Sequence, residues 1–554
     1  MSSDKDIKNG RFQKLGLALA VLFYLVSCVA VYMNSSGGTI LDPDVKVITF
    51  AHWQLEDGFR EGYAEAIREF EKIKAEQGVK VKVVQTTVPV RGYRQWFLTQ
   101  LISGDPADVM ELYCSSEVRN QYFTPLSEYV SQPNPFNKGT RFENVPWRDT
   151  YIDGMDSALD EAYAEYFGVG IYFHVYRLFV NLDLLEKATG SRKMPDTVEQ
   201  WIESCRKIKQ YGKKIGEPVI PIGVRGFDKS TISYLLKYYF NQLNGNLALD
   251  SVPVYGVNRV LRSSVLKGIA DRAVDNDRLL AAVDILKRLG QNFGEGFTAT
   301  DLEQTKFLFF TGQVGFFPEG TWNAYSMVKN SPFEVGITTI PKVGKDSKYY
   351  KYFTGIPGEK AGSGGLLGIP KSCRNFDLSL EFLQFITSWR VSQKVMIGYC
   401  KWPTPVKDSE YTGLMKHFEP NPGNGSLQIQ LPFETSNNCK SRTNILSGLE
   451  MIILKNIDDD KGYFWNNFLG QNYNMREELS EVLISCVRKY YSMEELRMNL
   501  QLQYMAGPPE KRDKIERREK MTLESVVYNM RQSDIEKISI DALEKIQTEF
   551  GDGD

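Results

Sequence analysis

Apolar positions recur with clear periods along the first hundred residues. Val45–Phe50 ("VKVITF") reads as a strand and runs into "AHWQ". Phe59, Tyr63, Ile67, Phe70 and Ile73 then return at three- and four-residue steps, which predicts one face of an amphipathic helix. Val79–Thr86 alternates like a second strand. Arg91–Ser103 reads as a helix stopped by Gly104, and Ala107–Leu112 as a third strand. Strands alternating with helices predict a parallel α/β sheet. Ligands in such sheets sit beyond the carboxyl ends of the strands. Those ends carry His52 and Trp53 in one place, and Tyr113, Ser115 and Ser116 in another.

A second unit opens near Gly168–Gly190. Thr197 and Gln200 form the pattern of a capping box, opening a helix through Tyr211. Asp277–Leu289 is again helical. Gly312–Met327 ("GQVGFFPEGTWNAYSM") follows a short apolar run with Glu319, Gly320, Thr321 and Trp322. Phe333–Gly344 reads as a strand leaving for a linker, and Gly364–Pro370 as a strand returning. Asp377 is placed to cap the next helix, with Leu378, Phe382, Phe385 and Trp389 on its apolar face. From Pro508 the chain turns to dense mixed charge ("PPEKRDKIERREK"). This predicts a solvated helix that docks through Leu523, Val527 and Ile538.

The N-terminus changes the picture of where the protein works. Lys8, Arg11 and Lys14 precede an apolar run from Leu15 to Met33, and a Ser/Gly linker follows at once. A positive flank before an apolar run reads as an export signal. About nineteen residues also suffice for an uncleaved membrane anchor, whose positive flank stays inside. Within the run, "LVSC" resembles a bacterial lipobox ending at Cys28, the lipidation candidate. Anchor and lipoprotein both stand, and both put the folded part outside the cytoplasm.

Composition excludes more than it selects. The net charge of −2 gives no basic face for nucleic acid. Seven cysteines (28, 114, 205, 373, 400, 439 and 486) show no C-x-x-C spacing, and there are only three histidines. Neither a metal site nor a cofactor is expected. In an oxidising place, one or two disulfides are expected, with their pairing open. Aromatics make up 12% of the chain, which suits flat-faced ligands such as sugars, and equally an aromatic core.

Five stretches taken in order carry a resemblance. They are "ITFAHWQ", "YRQWFLTQLISGDPADVMEL", "RLFVNLDLLEKATG" with "MPDTVEQWIESCRKI", "FFTGQVGFFPEGTWN" and "GGLLGIPKSC". Together they resemble the extracellular solute-binding proteins of ABC transporters, the class that includes maltose-binding protein, over roughly residues 46–407. The resemblance implies a two-lobed periplasmic-binding-protein fold of type II, α/β throughout, with a hinge of crossing strands and a ligand cleft. Residues 1–38 would be anchor and linker. Residues 46–160 plus 342–395 would form lobe one, 161–341 plus 396–505 lobe two, and 506–554 a charged extension.

The resemblance puts Trp322 at the position where the family often stacks a ring on its ligand; packing between helix and sheet is the competing role. Glu319 either bonds ligand hydroxyls or caps the helix after it. Tyr172, His174 and Arg177 fall where the second lobe lines the cleft, and Trp402 near the family's late cleft segment. Gly364 and Gly365 either let ligand approach the backbone or serve a tight strand entry. These join His52, Trp53, Tyr113 and Ser115 as ligand-binding candidates. No catalytic residue is expected, because no nucleophile motif, phosphate loop or paired carboxylate is flagged. Three functions follow: a binding protein delivering a solute, favoured as carbohydrate, to an ABC permease; a membrane-anchored sensor built on the same module; and, least supported, a secreted glycosidase.

Overall fold

Burial follows the predicted apolar faces. β1 (Lys46–His52) buries Ile48, Phe50 and Ala51 completely. α1 (Phe59–Glu76) covers it with Phe59, Tyr63, Ala66, Ile67 and Phe70. β2 (Val81–Thr87), α2 (Val90–Ser103) and β3 (Val109–Glu111) complete the first alternation. Gly104, at φ 78°, stops α2 in the left-handed conformation that glycine adopts freely. This computed structural model describes residues 44–551, except 57, 161–162, 164, 245–250, 255–256, 261–275, 356–361, 421–439, 456–462, 464–465 and 468–469.

β4 (Tyr172–His174) and β5 (Tyr176–Asn181) carry the chain into the second half. α3 (Val198–Ile215) starts at Thr197, whose hydroxyl accepts the Gln200 N–H at 3.3 Å. The Gln200 side chain turns to the Asp196 N–H instead of closing a box on Thr197. The helix runs past Tyr211 to a left-handed Gly216. β6 (Ile220–Ile222), α4 (Ser230–Leu243), α5 (Asn276–Gly290), α6 (Leu302–Phe310), β7 (Val314–Gly320) and β8 (Val335–Thr338) follow. β9 (Gly362–Gly364) and β10 (Leu367–Gly368) return to the first half. α7 (Phe376–Ile386) is preceded by Asn375. Asp377 therefore does not cap α7: it sits in the first turn, where its charge complements the helix dipole. α8 (Lys440–Lys455), α9 (Asn472–Ala506) and α10 (Arg512–Gly551) end the chain.

The first sheet has the order β10-β3-β1-β2, with β1 parallel to β2 and β3, and β10 antiparallel to β3. The second has the order β8-β5-β7-β6, with β7 parallel to β6 and antiparallel to β5. Each sheet has its own buried apolar cluster. Between them β4 pairs antiparallel with β9. The return to the first half comes later than residue 342. The hydroxyls of Tyr238 and Tyr239 hold the carbonyls of Ile340 and Pro341 at 2.5 and 3.0 Å. Val343 and Tyr352 are also buried in the second cluster.

α9 and α10 pack against each other, burying Met493 against Val526. α10 is also seated on both halves. Tyr528 and Ile535 lie in the first cluster and Leu543 in the second. Leu523 and Ile538, expected to dock the helix, are 43% and 39% exposed. The docking face is turned away from them.

Cys114, Cys205, Cys373, Cys400 and Cys486 are free thiols, so no disulfide joins any two of these five. Cys28, the apolar run around it and Cys439 lie outside the described residues. Among the described residues no helix is long and apolar enough to cross a membrane.

Candidate functional site

Parallel pairing brings the carboxyl ends of β1, β2 and β3 to one edge of the first sheet. His52, the last residue of β1, is fully buried. Its ring nitrogens meet the Gln54 N–H at 3.1 Å and the Gln85 side-chain amide at 2.8 Å. Burial pushes its pKa down to about 3, so the imidazole is neutral. The expected ligand contact is thus a packed spacer that fixes the loop after β1.

Below that loop lies a buried acid the sequence reading passed over. Glu111 ends β3, is fully buried, and has its pKa pushed up to about 8 by burial. Its Oε1 accepts from Gln54 Nε2 at 2.7 Å and from the Tyr172 hydroxyl at 3.1 Å, and its Oε2 from the Trp53 N–H at 3.3 Å. Gln54 also donates to the Tyr172 hydroxyl at 2.7 Å. The acid holds Gln54, Trp53 and Tyr172 in one frame. Trp53 meets Tyr93 and Tyr113 edge-on at 5.0 and 5.5 Å, and Tyr113 is 43% exposed. Ser115 is exposed beside it, at the start of a short helix.

Tyr172 is buried and Trp402 is 3% exposed. Their rings meet at 4.5 Å, and Trp402 packs on Phe59 at 5.2 Å. Neither lies open to a ligand; they form the floor beneath His174, which is exposed. The His174 ring stands 5.1 Å from Tyr172 and 5.7 Å from Trp322. A Cβ on Gly364 would come within 2.3 Å of the His174 ring, and one on Gly365 within 2.4 Å of Tyr172. Gly365 also has φ +63°. The glycines at 364 and 365 are thus needed for close packing against these protein rings.

The second sheet offers a matching edge. β6 and β7 run parallel; β6 ends at Ile222, opposite Phe316, and β7 runs on to Gly320, just before Trp322. Trp322 is half-buried, meets Tyr176 edge-on at 5.4 Å, and packs against the buried cluster of the first half. Beneath it Glu319 is completely buried, and burial raises its pKa. Its Oε1 accepts the Gly320 N–H at 2.7 Å. Its Oε2 faces Arg225 Nη1 at 3.6 Å, beyond hydrogen-bond length. Glu319 Oε2 and Arg225 Nε lack a hydrogen bond of good geometry, and the Asn323 amide is the side chain that stands nearest to supplying one to the Glu319 carboxyl. Arg225 is anchored by Asp228 at 2.6 Å. Phe227, between them, is 70% exposed, and the Tyr176 ring stacks on Tyr234 at 3.7 Å.

Arg177 is not part of this edge. Its neighbour Tyr176 is the residue whose ring meets Trp322. The Arg177 guanidinium instead donates to the carbonyls of His417 (2.6 Å), Tyr176 (2.8 Å) and Glu419 (3.3 Å). It ties down the segment Gly413–Phe418.

Sequence reasoning missed Gln54, Glu111, Tyr176, Arg225, Phe227 and Asp228. A lone acid inside the apolar run "ADVMEL" was a legible sign for Glu111. For "RGFDK", the sign was its place just after the short apolar run "VIPIGV". Among the described residues no cluster of histidine, cysteine and carboxylate side chains is arranged to hold a metal ion.

Residues 53–389 match a family described as bacterial extracellular solute-binding protein. No curated protein sequence matches the chain. Solved structures share the fold at low identity. The apo form of RafE from Streptococcus pneumoniae aligns with TM-score 0.52 and 18% identity over 78% of this chain and 98% of its own. The bacterial solute receptor AcbH, with an exclusive substrate preference for β-D-galactopyranose, gives 0.51 and 12% over 79% and 99%. The GacH receptor of Streptomyces glaucescens, solved unliganded and with acarbose, gives 0.50 and 16% over 78% and 99%.

Proposed function

The chain belongs to the bacterial extracellular solute-binding proteins, and from that premise we propose that it captures a carbohydrate between its two lobes and hands it on chemically unchanged. One observation carries this reading. At the edge of the second sheet a half-buried indole stands over a buried acid that faces a partly buried guanidinium at 3.6 Å, each of the two charged groups keeping an atom without a hydrogen bond. A sugar has an apolar face for such rings and hydroxyls for such atoms. Ring stacking contributes about 1 kcal/mol per ring beyond area burial, and a buried polar group left without a partner costs about 1–3 kcal/mol. A hydroxyl-bearing ligand relieves that cost on binding.

In this reading Trp322 and Phe227 supply ring faces, and Arg225 with Glu319 bonds hydroxyls. Tyr113, Trp53, Ser115 and His174 complete the opposing wall. Glu111, Gln54, Tyr172 and Trp402 position that wall from behind. The lobes are the two sheet-centred halves, hinged at β4 and β9. The protein works outside the cytoplasm, held at the membrane by its N-terminal segment or by lipid on Cys28, and serves an ABC permease. The galactopyranose preference of AcbH and the acarbose complex of GacH support the carbohydrate assignment by analogy.

A second reading, a membrane-anchored sensor, is favoured by α10, which is seated on both halves. Such a helix reports a change in their relative position.

The test is a thermal-shift panel of mono- and oligosaccharides, amino acids and polyamines, followed by chromatography of the stabilising compound. A ligand at a hundred times its Kd stabilises by about 2.7 kcal/mol. Stabilisation by a saccharide recovered intact supports capture. A released product identifies an enzyme instead.

A further inference from the structure

α9 carries two apolar seams, and the fold uses only one. Leu479, Cys486, Met493 and Leu500 recur at every seventh residue and are all buried. Ile484, Tyr491, Met498 and Met505 recur at the same interval and are 50%, 67%, 59% and 77% exposed. Leu502 and Tyr473, at 62% and 78%, fall on the same line. At about 100° per residue these six side chains occupy an arc of roughly 60°, some 140° round the helix from the buried seam. From Ile484 to Met505 the stripe runs for about 32 Å, with Glu477 and Ser480 standing between it and Tyr473. A seven-residue apolar repeat is the pattern by which helices pair side by side. Single exposed apolar residues are ordinary, but a continuous stripe of this length marks an interaction surface.

Charge along the helix identifies what fits it. Consider a second copy of α9 laid antiparallel about a two-fold axis between Glu494 and Glu495. Ile484 then faces Met505 of the other copy, and Tyr491 faces Met498, so the whole repeat is consumed. In the same register exposed Glu477 reaches the other copy's turn after α9, where Lys511 and Arg512 are both exposed. The surface is therefore complementary to itself in shape and charge, as a two-fold contact requires. One feature opposes it: the exposed Glu495 side chains of the two copies meet near the axis. Glu494 is less of a problem, because Arg497 neutralises it at 3.0 Å. Along the face exposed Glu477, Glu481 and Glu495 outnumber the exposed Arg488, which argues against an anionic lipid surface as the occupant. We propose that the open seam of α9 is a self-association surface, pairing two copies of this chain through an antiparallel four-helix contact between their C-terminal hairpins. The proposal is independent of the nature of the solute.

The test uses the full chain in detergent micelles, with mass read by light scattering across a concentration series. A reversible dimer is expected. Tyr491→Glu with Met498→Glu, both at exposed positions, should weaken association by at least ~30-fold while leaving the circular dichroism spectrum and Tm unchanged. Glu495→Gln should strengthen it by relieving the central repulsion. A chain carrying Tyr491→Cys and Met498→Cys should cross-link to double mass under mild oxidation, well beyond the native chain. A mass that stays monomeric at tens of micromolar overturns the proposal. So does a dimer indifferent to the double glutamate variant, or a stripe that binds neutral lipid vesicles while the chain remains monomeric.

Discussion

The indole of Trp322 lies across Gly320, so close that a Cβ at 320 would stand 2.3 Å from the ring. The φ of Gly320 is −88°, which any residue adopts, so the glycine is there for the ring and not for the backbone. Gly320→Ala should therefore displace the indole without straining the chain. The expected cost is about 1–3 kcal/mol of stability, with weaker ligand binding and an altered tryptophan emission. Native emission and affinity in this variant would show that the ring does not depend on the glycine.

The rings at this edge should matter unequally. Phe227 is 70% exposed and bears no core load. Phe227→Ala should leave Tm within about 0.5 kcal/mol of native stability, yet weaken saccharide binding by roughly tenfold. Arg225→Ala should weaken binding further and also destabilise, because it leaves Glu319 buried without a cation. Calorimetric titration and denaturant melts on the two variants separate these effects.

Two buried groups shape the pH profile in opposite senses. Glu111 is raised to about 8, so the folded state favours its protonated form. Its contribution is complete below the unfolded value near 4.5 and is lost as pH climbs toward 8. His52 is lowered to about 3, so the folded state favours its neutral form. Its contribution is complete above the unfolded value of 6.5 and is lost as pH falls toward 3. The two slopes offset each other between about 4.5 and 6.5, and of the two groups only Glu111 has a slope from 6.5 to 8. Glu111→Gln should flatten the stability profile over that upper window. Urea melts at pH 6.5 and 8 measure it, and an unchanged slope in the variant would assign the loss to other groups.

α10 should behave as part of both cores. Leu543 is 1% exposed in the second cluster, so Leu543→Ala should cost about 2–4 kcal/mol. Ile538, at 39% exposure, should tolerate alanine within about 0.5 kcal/mol. Equal costs at the two positions in denaturant melts would mean that the helix is not seated as described.

Much of the architecture was legible because local patterns and tertiary burial agree. The face Phe59, Tyr63, Ile67, Phe70 was readable from period alone, and the same residues cover β1. Gly104 was readable as a stop because only a left-handed residue ends α2 there. The site was less legible, for physical reasons. His52 and Trp53 are neighbours, yet one is sealed and the other half-open; alternation says they differ but not which faces the cleft. Arg177 carries a charge that suits a ligand, and nothing local reveals the three carbonyls from residues 176–419 that claim it. Arg225 and Glu319 stand far apart in sequence, and only the parallel pairing of β6 with β7 brings them together. Leu523 and Ile538 looked like docking residues because an isolated amphipathic pattern does not say which of two faces is covered.

The central claim is that a saccharide is held, unaltered, against Trp322. Its most direct test is calorimetric titration of the stabilising saccharide into the native chain and into Trp322→Ala. One site per chain, an affinity reduced at least tenfold in the variant, and full recovery of intact saccharide are the predicted results. Native affinity in Trp322→Ala, or saccharide converted to product in the cell, would contradict the account.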